Sequence, residues 1–152
     1  MNVEIVETPF QATLFGFAAE IANGDISKTG KRLMDKMWSE VHSNGIKTKG
    51  VNHWVYLPQS RMFAGVQVVD EGSSIGALEK IQIALNRHLR FVHCGEYSTL
   101  PQVWQDLMQL LKDQGLKPVL PNLEIYGHWN PNPSQCETTI VIGLEEGAGC
   151  MA

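Results

Sequence analysis

The chain is predicted to be an α+β protein made of two copies of one strand-helix-strand-strand unit, and three observations predict it. Two amphipathic helix-like segments end alike, in Asn44-Gly45-Ile46-Lys47 and in Gln114-Gly115-Leu116-Lys117, at an offset of 70 residues. The same offset carries Trp54-Val55-Tyr56 onto Glu124-Ile125-Tyr126. An offset of 76 carries Ile5 onto Ile81, Phe15 onto Phe91, and Met62 to Val66 onto Thr138 to Ile142. The offset changes where loops fall, as expected of a repeat whose connections vary in length.

The elements follow in order. Val3 to Val6 and Gln11 to Phe17 read as β structure interrupted by Pro9, with Phe15 and Phe17 on one face under period-two alternation. From Asp25 to Asn44, Leu33, Met34, Met37, Trp38 and Val41 recur at helical spacing. Asp25 or Ser27 serves as cap and Gly45 suits the left-handed stop. His53 to Leu57 and Met62 to Val69 are strands joined by a turn near Pro58 to Ser60. After the short join Asp70 to Ser74 the pattern restarts. Leu78 to Leu85 and His88 to Cys94 repeat the opening β region, and Leu100 to Leu111 is a second amphipathic helix with capping-box spacing at Thr99 to Gln102. Glu124 to Gly127 and Glu137 to Leu144 close as strands. Residues 1–152 thus read as a single domain, with repeats at about 1–70 and 77–144 and a small flexible tail at 145–152. The join is too short for a free linker, so the halves should share one core.

Composition narrows the function. At 152 residues and 43% hydrophobic content, the chain can close one substantial core. Its 16 acidic and 12 basic residues give a net charge of −4 with no basic patch, which argues against direct nucleic-acid binding. No signal-peptide pattern and no run of about 18 apolar residues occurs, so a membrane partner is not expected. Three widely spaced cysteines, Cys94, Cys136 and Cys150, fit reduced thiols and a cytoplasmic location. The histidines His42, His53, His88, His93 and His128 show no metal-ligand spacing, and no phosphate-cradling glycine motif is present. No metal, cofactor or catalytic residue is assigned.

The candidate site centres on Glu124 and Tyr126, two residues apart in a strand and therefore on one face. Duplication places Trp54 and Tyr56 on the equivalent face of the other half, with Tyr97, Trp104 and Trp129 near enough in sequence to join them. If that face is enclosed, it sets one carboxylate among aromatic rings, an environment suited to a hydrophobic organic cation. The same pattern fits a solvent-facing glutamate beside a half-buried tyrosine. Trp38 and Trp104, in helical apolar stripes, fit ordinary core packing as well as a pocket wall.

Glu124-Ile125-Tyr126-Gly127-His128-Trp129-Asn130-Pro131, then Glu137-Thr138-Thr139-Ile140, with Gly95-Glu96-Tyr97 ahead of the second helix, resembles the GyrI-like, or AraC-type, effector-binding domains. The resemblance runs from the opening strand to about Leu144. It implies an antiparallel sheet with pseudo-two-fold symmetry, two helices and a central cleft for small molecules. In multidrug-responsive members a buried glutamate matching Glu124 pairs with lipophilic cations. Many members carry a helix-turn-helix segment ahead of this domain, and here the first β segment begins at about residue 3. The resemblance therefore implies a stand-alone module that senses or sequesters a small molecule, acting on transcription only through a partner. Two alternatives stay open. One is a hydrolase of electrophilic genotoxic compounds using the same glutamate. The other is an inhibitor that binds a protein such as a topoisomerase.

Overall fold

The computed structural model describes residues 2–128 and 130–146. Its order is β1 (Glu4–Val6), β2 (Phe10–Glu20), α1 (Ile26–Ser43), β3 (His53–Leu57), β4 (Arg61–Val66), β5 (Glu79–Leu85), β6 (His88–Cys94), α2 (Leu100–Asp113), β7 (Pro118–Tyr126) and β8 (Glu137–Leu144). The strands form one antiparallel sheet in the order β1-β6-β8-β7-β3-β4-β2-β5. That order reads alike from both ends once β1 is matched with β5, β6 with β2, β8 with β4 and β7 with β3. A pseudo-two-fold axis therefore passes between β3 and β7, where Trp54 pairs directly with Glu124.

Both helices end in the same way because the same residues recur there. Gly45 (φ 60°) and Gly115 (φ 69°) take the left-handed conformation. In each case the glycine N–H and the next N–H then bond back to the last turn: Gly45 to His42 and Ile46 to Val41, and Gly115 to Lys112 and Leu116 to Leu111. The starts differ. Asp25 caps α1 through the Lys28 N–H at 3.0 Å, as expected. Thr99 does not form the expected capping box. It lies in helical conformation at the end of a short 3₁₀ turn, and its hydroxyl donates to the Glu96 carbonyl at 2.6 Å.

Alternation along the strands sorts the core into layers. Phe15, Phe17, Met62 and Val66 face α1, meeting Leu33, Met37 and Val41. Leu89, Ile140 and Ile142 meet Val103, Leu107 and Leu111 of α2. On the opposite face Leu14, Val55, Phe63, Ile83, Leu123 and Val141 form a layer without a helix. That layer is possible because the sheet curls and brings Leu85 of the edge strand β5 close to Gly143 of β8.

Register corrects two repeat matches. Phe15 pairs with Val66, and Ile142, the counterpart of Val66, pairs with Leu89. Leu89, not Phe91, is therefore the counterpart of Phe15. By the same pairing Val6 rather than Ile5 answers to Ile81. Several strand bounds also differ from expectation, and β2 runs on to Glu20 rather than stopping at Phe17. β4 stops at Val66, leaving Val68 in an isolated bridge to Thr48. β7 starts at Pro118, its ladder interrupted between Val119 and Asn122, where Pro121 has no N–H to give. Trp129, Cys150 and residues 147–152 of the tail lie outside the described residues.

Candidate functional site

β3 and β7 lie at the middle of the sheet, and their helix-side residues form the floor between α1 and α2. Trp54 and Glu124 sit on the pseudo-axis. Around them Tyr56 pairs with Asn122, while the Tyr126 N–H bonds to the Asn52 carbonyl at 2.9 Å. The offset of 70 that relates Tyr56 to Tyr126 also relates Asn52 to Asn122. Two tyrosines and two asparagines thus surround the axis in alternation.

Glu124 is only 4% exposed. One of its carboxyl oxygens accepts from the Tyr56 hydroxyl in a short contact and from the Tyr126 hydroxyl at 2.8 Å. The other accepts from the Trp104 indole N–H at 2.8 Å. All three donors are neutral, and no Lys, Arg or His among the described residues forms an ion pair with this carboxyl group. Burial first, and then the Glu124 charge and hydrogen bond, push the Tyr56 and Tyr126 phenols well above their usual range, so both keep their protons. The rings interlock edge to face: Trp54 on Tyr126, Tyr56 on Trp104 and Tyr97 on Tyr126, with centroids 5.3, 5.9 and 5.5 Å apart.

These groups line a cavity of about 850 Å³ between the helices. Of the residues singled out in the sequence, Trp54, Tyr56, Tyr97, Trp104, Glu124 and Tyr126 all line it, and Trp129 is outside the described residues. Trp38 does not line it. It packs beside the α1 core layer, and its indole donates to Asn52 Oδ1 at 2.8 Å.

The two ends of the cavity differ because the repeats diverged. Trp104 on α2 corresponds to Met34 on α1, and Leu100 to Gly30. Gly30 lies against the far edge of the Trp54 ring, where an added Cβ would come within 2.5 Å. The missing side chain on α1 is thus the room that Trp54 occupies. Met34, Met108, Asn52 and Asn122 line the cavity but escaped the sequence reading. The helical residues sit in stripes that also fit a core, while the asparagine pair was visible in the offset of 70.

No family model and no curated relative matches the chain. Its shape is nonetheless shared by several solved structures. The EcmrR C-terminal domain has a TM-score of 0.73 at 19% identity, covering 97% of this chain and 100% of that one. SAV2435, solved bound to tetraphenylphosphonium, has a TM-score of 0.69 at 14% identity, covering 95% and 94%. A hydrolase from Listeria innocua has a TM-score of 0.54 at 11% identity, covering 94% and 91%. At these identities the likeness is one of fold. The chain has the GyrI-like α+β fold expected from its Glu124-Ile125-Tyr126 segment.

Among the described residues no group of His, Cys, Asp and Glu could hold a metal ion, and no helix is long and apolar enough to cross a membrane.

Proposed function

We propose that the protein is a small-molecule-binding domain whose cavity takes up hydrophobic organic cations, with Glu124 as the charge partner. The observation that carries this reading is a carboxyl group, 4% exposed, held by three neutral donors at an aromatic cavity and paired with no cation among the described residues. Burying an unpaired carboxylate costs several kcal/mol, of which neutral hydrogen bonds return only part. A cation arriving beside it recovers more. Each aromatic face it meets adds roughly 0.5–2 kcal/mol. A cavity of about 850 Å³ holds a drug-sized molecule. SAV2435, which shares the fold, was solved with a lipophilic cation of this kind.

The test is a tryptophan-fluorescence titration of the wild type and Glu124→Gln with a cationic and a neutral ligand of matched shape. The glutamine can keep the local bonds, because its oxygen accepts from Trp104 and the phenol hydroxyls can rotate to accept from its N–H₂. The wild type should favour the cation by at least about ten-fold, equivalent to about 1.4 kcal/mol, and the variant should lose that preference while still folding. Equal binding of both ligands by the wild type would overturn the proposal.

One observation favours a second reading. A carboxyl group buried at the cavity floor could take a proton from water as that water attacks an electrophilic ligand and pass the proton on to the leaving group, making the domain a hydrolase. Conversion of an electrophilic ligand to product, abolished in Glu124→Gln, is what this reading requires.

A further inference from the structure

Asn52 and Asn122 sit at pseudo-equivalent positions on either side of Glu124, and both line the cavity. Their carbonyl oxygens are already engaged. Asn52 Oδ1 accepts from the Trp38 indole at 2.8 Å, and Asn122 Oδ1 accepts from the Gly143 backbone N–H at 3.2 Å. An indole N–H and a peptide N–H can only donate, so turning either amide over would set donor against donor. Each amide orientation is therefore chemically fixed. What remains to each side chain is its N–H₂ group, for which no protein partner occurs among the described residues. Asn122 is only 7% exposed and Asn52 is half-buried, yet neither amide nitrogen is fully buried, so both free donors stay open to the cavity that these residues line.

The tyrosines do not meet this surplus of donors: among the described residues no hydrogen bond joins either amide to the Tyr56 or Tyr126 hydroxyl. Tyr56, which stands opposite Asn122, and Tyr126, next to Asn52, both direct their hydroxyl protons at Glu124. The Trp54 indole N–H is also unpartnered, and unlike the two amides it is fully buried. Cavity-lining donors without protein acceptors favour a ligand that brings acceptors.

We infer that the ligand is not a purely hydrocarbon cation but a cation carrying uncharged acceptor oxygens, such as carbonyl, ether or ester groups, close to its positive charge. The charge meets Glu124, and the oxygens meet Asn52 and Asn122. Neighbours across paired strands, and residues two apart in one strand, lie about 5–8 Å from each other. The acceptors therefore belong within a few bonds of the cationic centre. This inference rests on the cation-binding reading for the charge and on the two amides for the oxygens.

The experiment uses three probes of one shape: a quaternary ammonium with a carbonyl two bonds from nitrogen, the same cation with a methylene in place of the carbonyl, and a neutral carbon isostere that keeps the carbonyl. Each is titrated against the wild type, Asn52→Ala, Asn122→Ala, Asn122→Asp and Glu124→Gln. The wild type should bind the carbonyl cation about ten-fold more tightly than the methylene cation, the scale of one enclosed hydrogen bond. At least one alanine variant should bring that ratio toward one. Asn122→Asp guards against misfolding, because it retains an oxygen for Gly143 and replaces the free donor with an acceptor. It should lower the ratio without weakening the methylene cation. Glu124→Gln should lose the preference for cations and keep that for the carbonyl. A wild-type ratio of one, with cations still preferred over the neutral probe, overturns this inference and leaves the cation reading standing. A carbonyl preference that depends on the asparagines, without any preference for charge, supports the amide assignment and overturns the cation reading. Absence of binding by all three probes overturns both.

Discussion

Tyr56 and Tyr126 show how one buried carboxyl group sets the chemistry of its neighbours. Each phenol donates a hydrogen bond to Glu124, and ionising either would place a second negative charge beside the first. Burial first, and then the charge and hydrogen bond of Glu124, raise their folded pKa values above the unfolded value of 10.0. Up to about pH 10 this contribution to stability is complete. Above that pH the unfolded chain releases phenolic protons that the folded chain retains, so stability falls as pH rises. Since the chain has three tyrosines, phenolate absorbance should be measurable residue by residue. Only Tyr97, half-exposed, should titrate before unfolding, and the signals of Tyr56 and Tyr126 should appear together with the loss of structure. Removing a hydroxyl tests the same bond directly. Tyr56→Phe should cost about 1.5–3 kcal/mol in denaturant unfolding, the range for hydrogen bonds to charged groups, and should flatten the alkaline decline. A phenolate signal from all three tyrosines below pH 10 in folded protein would contradict this account.

At the scale of elements, two glycines do opposite work. Gly16 of β2 faces Gly65 of β4, and a Cβ added to it would lie 1.8 Å from the Ala64 carbonyl oxygen. That obstacle is backbone in a paired strand, so it has no rotamer by which to move. Gly16→Ala should cost about 3 kcal/mol or more, or abolish folding, as measured by chemical denaturation. At Gly30 the obstacle is the far edge of the Trp54 ring. Helix propensity favours alanine there by about 1 kcal/mol, offsetting part of the cost of shifting the indole. Gly30→Ala should change stability by no more than about 1 kcal/mol, yet weaken ligand binding several-fold by moving Trp54 into the cavity. These contrasts also show why some elements were legible in the sequence and others were not. His53 to Leu57, read as one arm of a turn-linked strand pair, and His88 to Cys94, read as a repeat of the opening β region, match β3 and β6. The start of β7 was hidden because Pro118 and Pro121 argue against a strand unless a bulge absorbs them. Trp104 could not be assigned to core or cavity, since that choice depends on how α2 is rotated against a sheet the sequence does not display. Glu124 and Tyr126 could be placed on one face because a strand fixes that relation locally. Asn52 and Asn122 required the repeat itself to be used as evidence.

At the scale of the molecule, the two halves exchange their opening strands. β1 precedes the first helix yet pairs with β6 of the second half, while β5 opens the second half yet pairs with β2 of the first. The halves also join through β3 and β7, whose pairing holds both Trp54 and Glu124. On the face without helices, Ile83 and Leu85 of β5 share a core layer with Val55, Phe63, Leu123 and Val141. Separating the halves would leave β2 and β6 as open edges, uncover that layer and split the cavity floor. A unit of about 70 residues has little core to spare against such losses. We therefore propose that residues 1–152 fold as a single cooperative domain despite their repeat. Cleavage in the exposed loop at Asp70 to Ser74 should yield two fragments that are each unfolded alone and that regain circular dichroism and ligand binding only when mixed. For the intact chain, tryptophan fluorescence and far-ultraviolet circular dichroism should report one coincident denaturant transition. An isolated half that unfolds cooperatively would show that the repeats are independent domains. In that case the exchanged strands would contribute to association of the halves rather than to the folding of each.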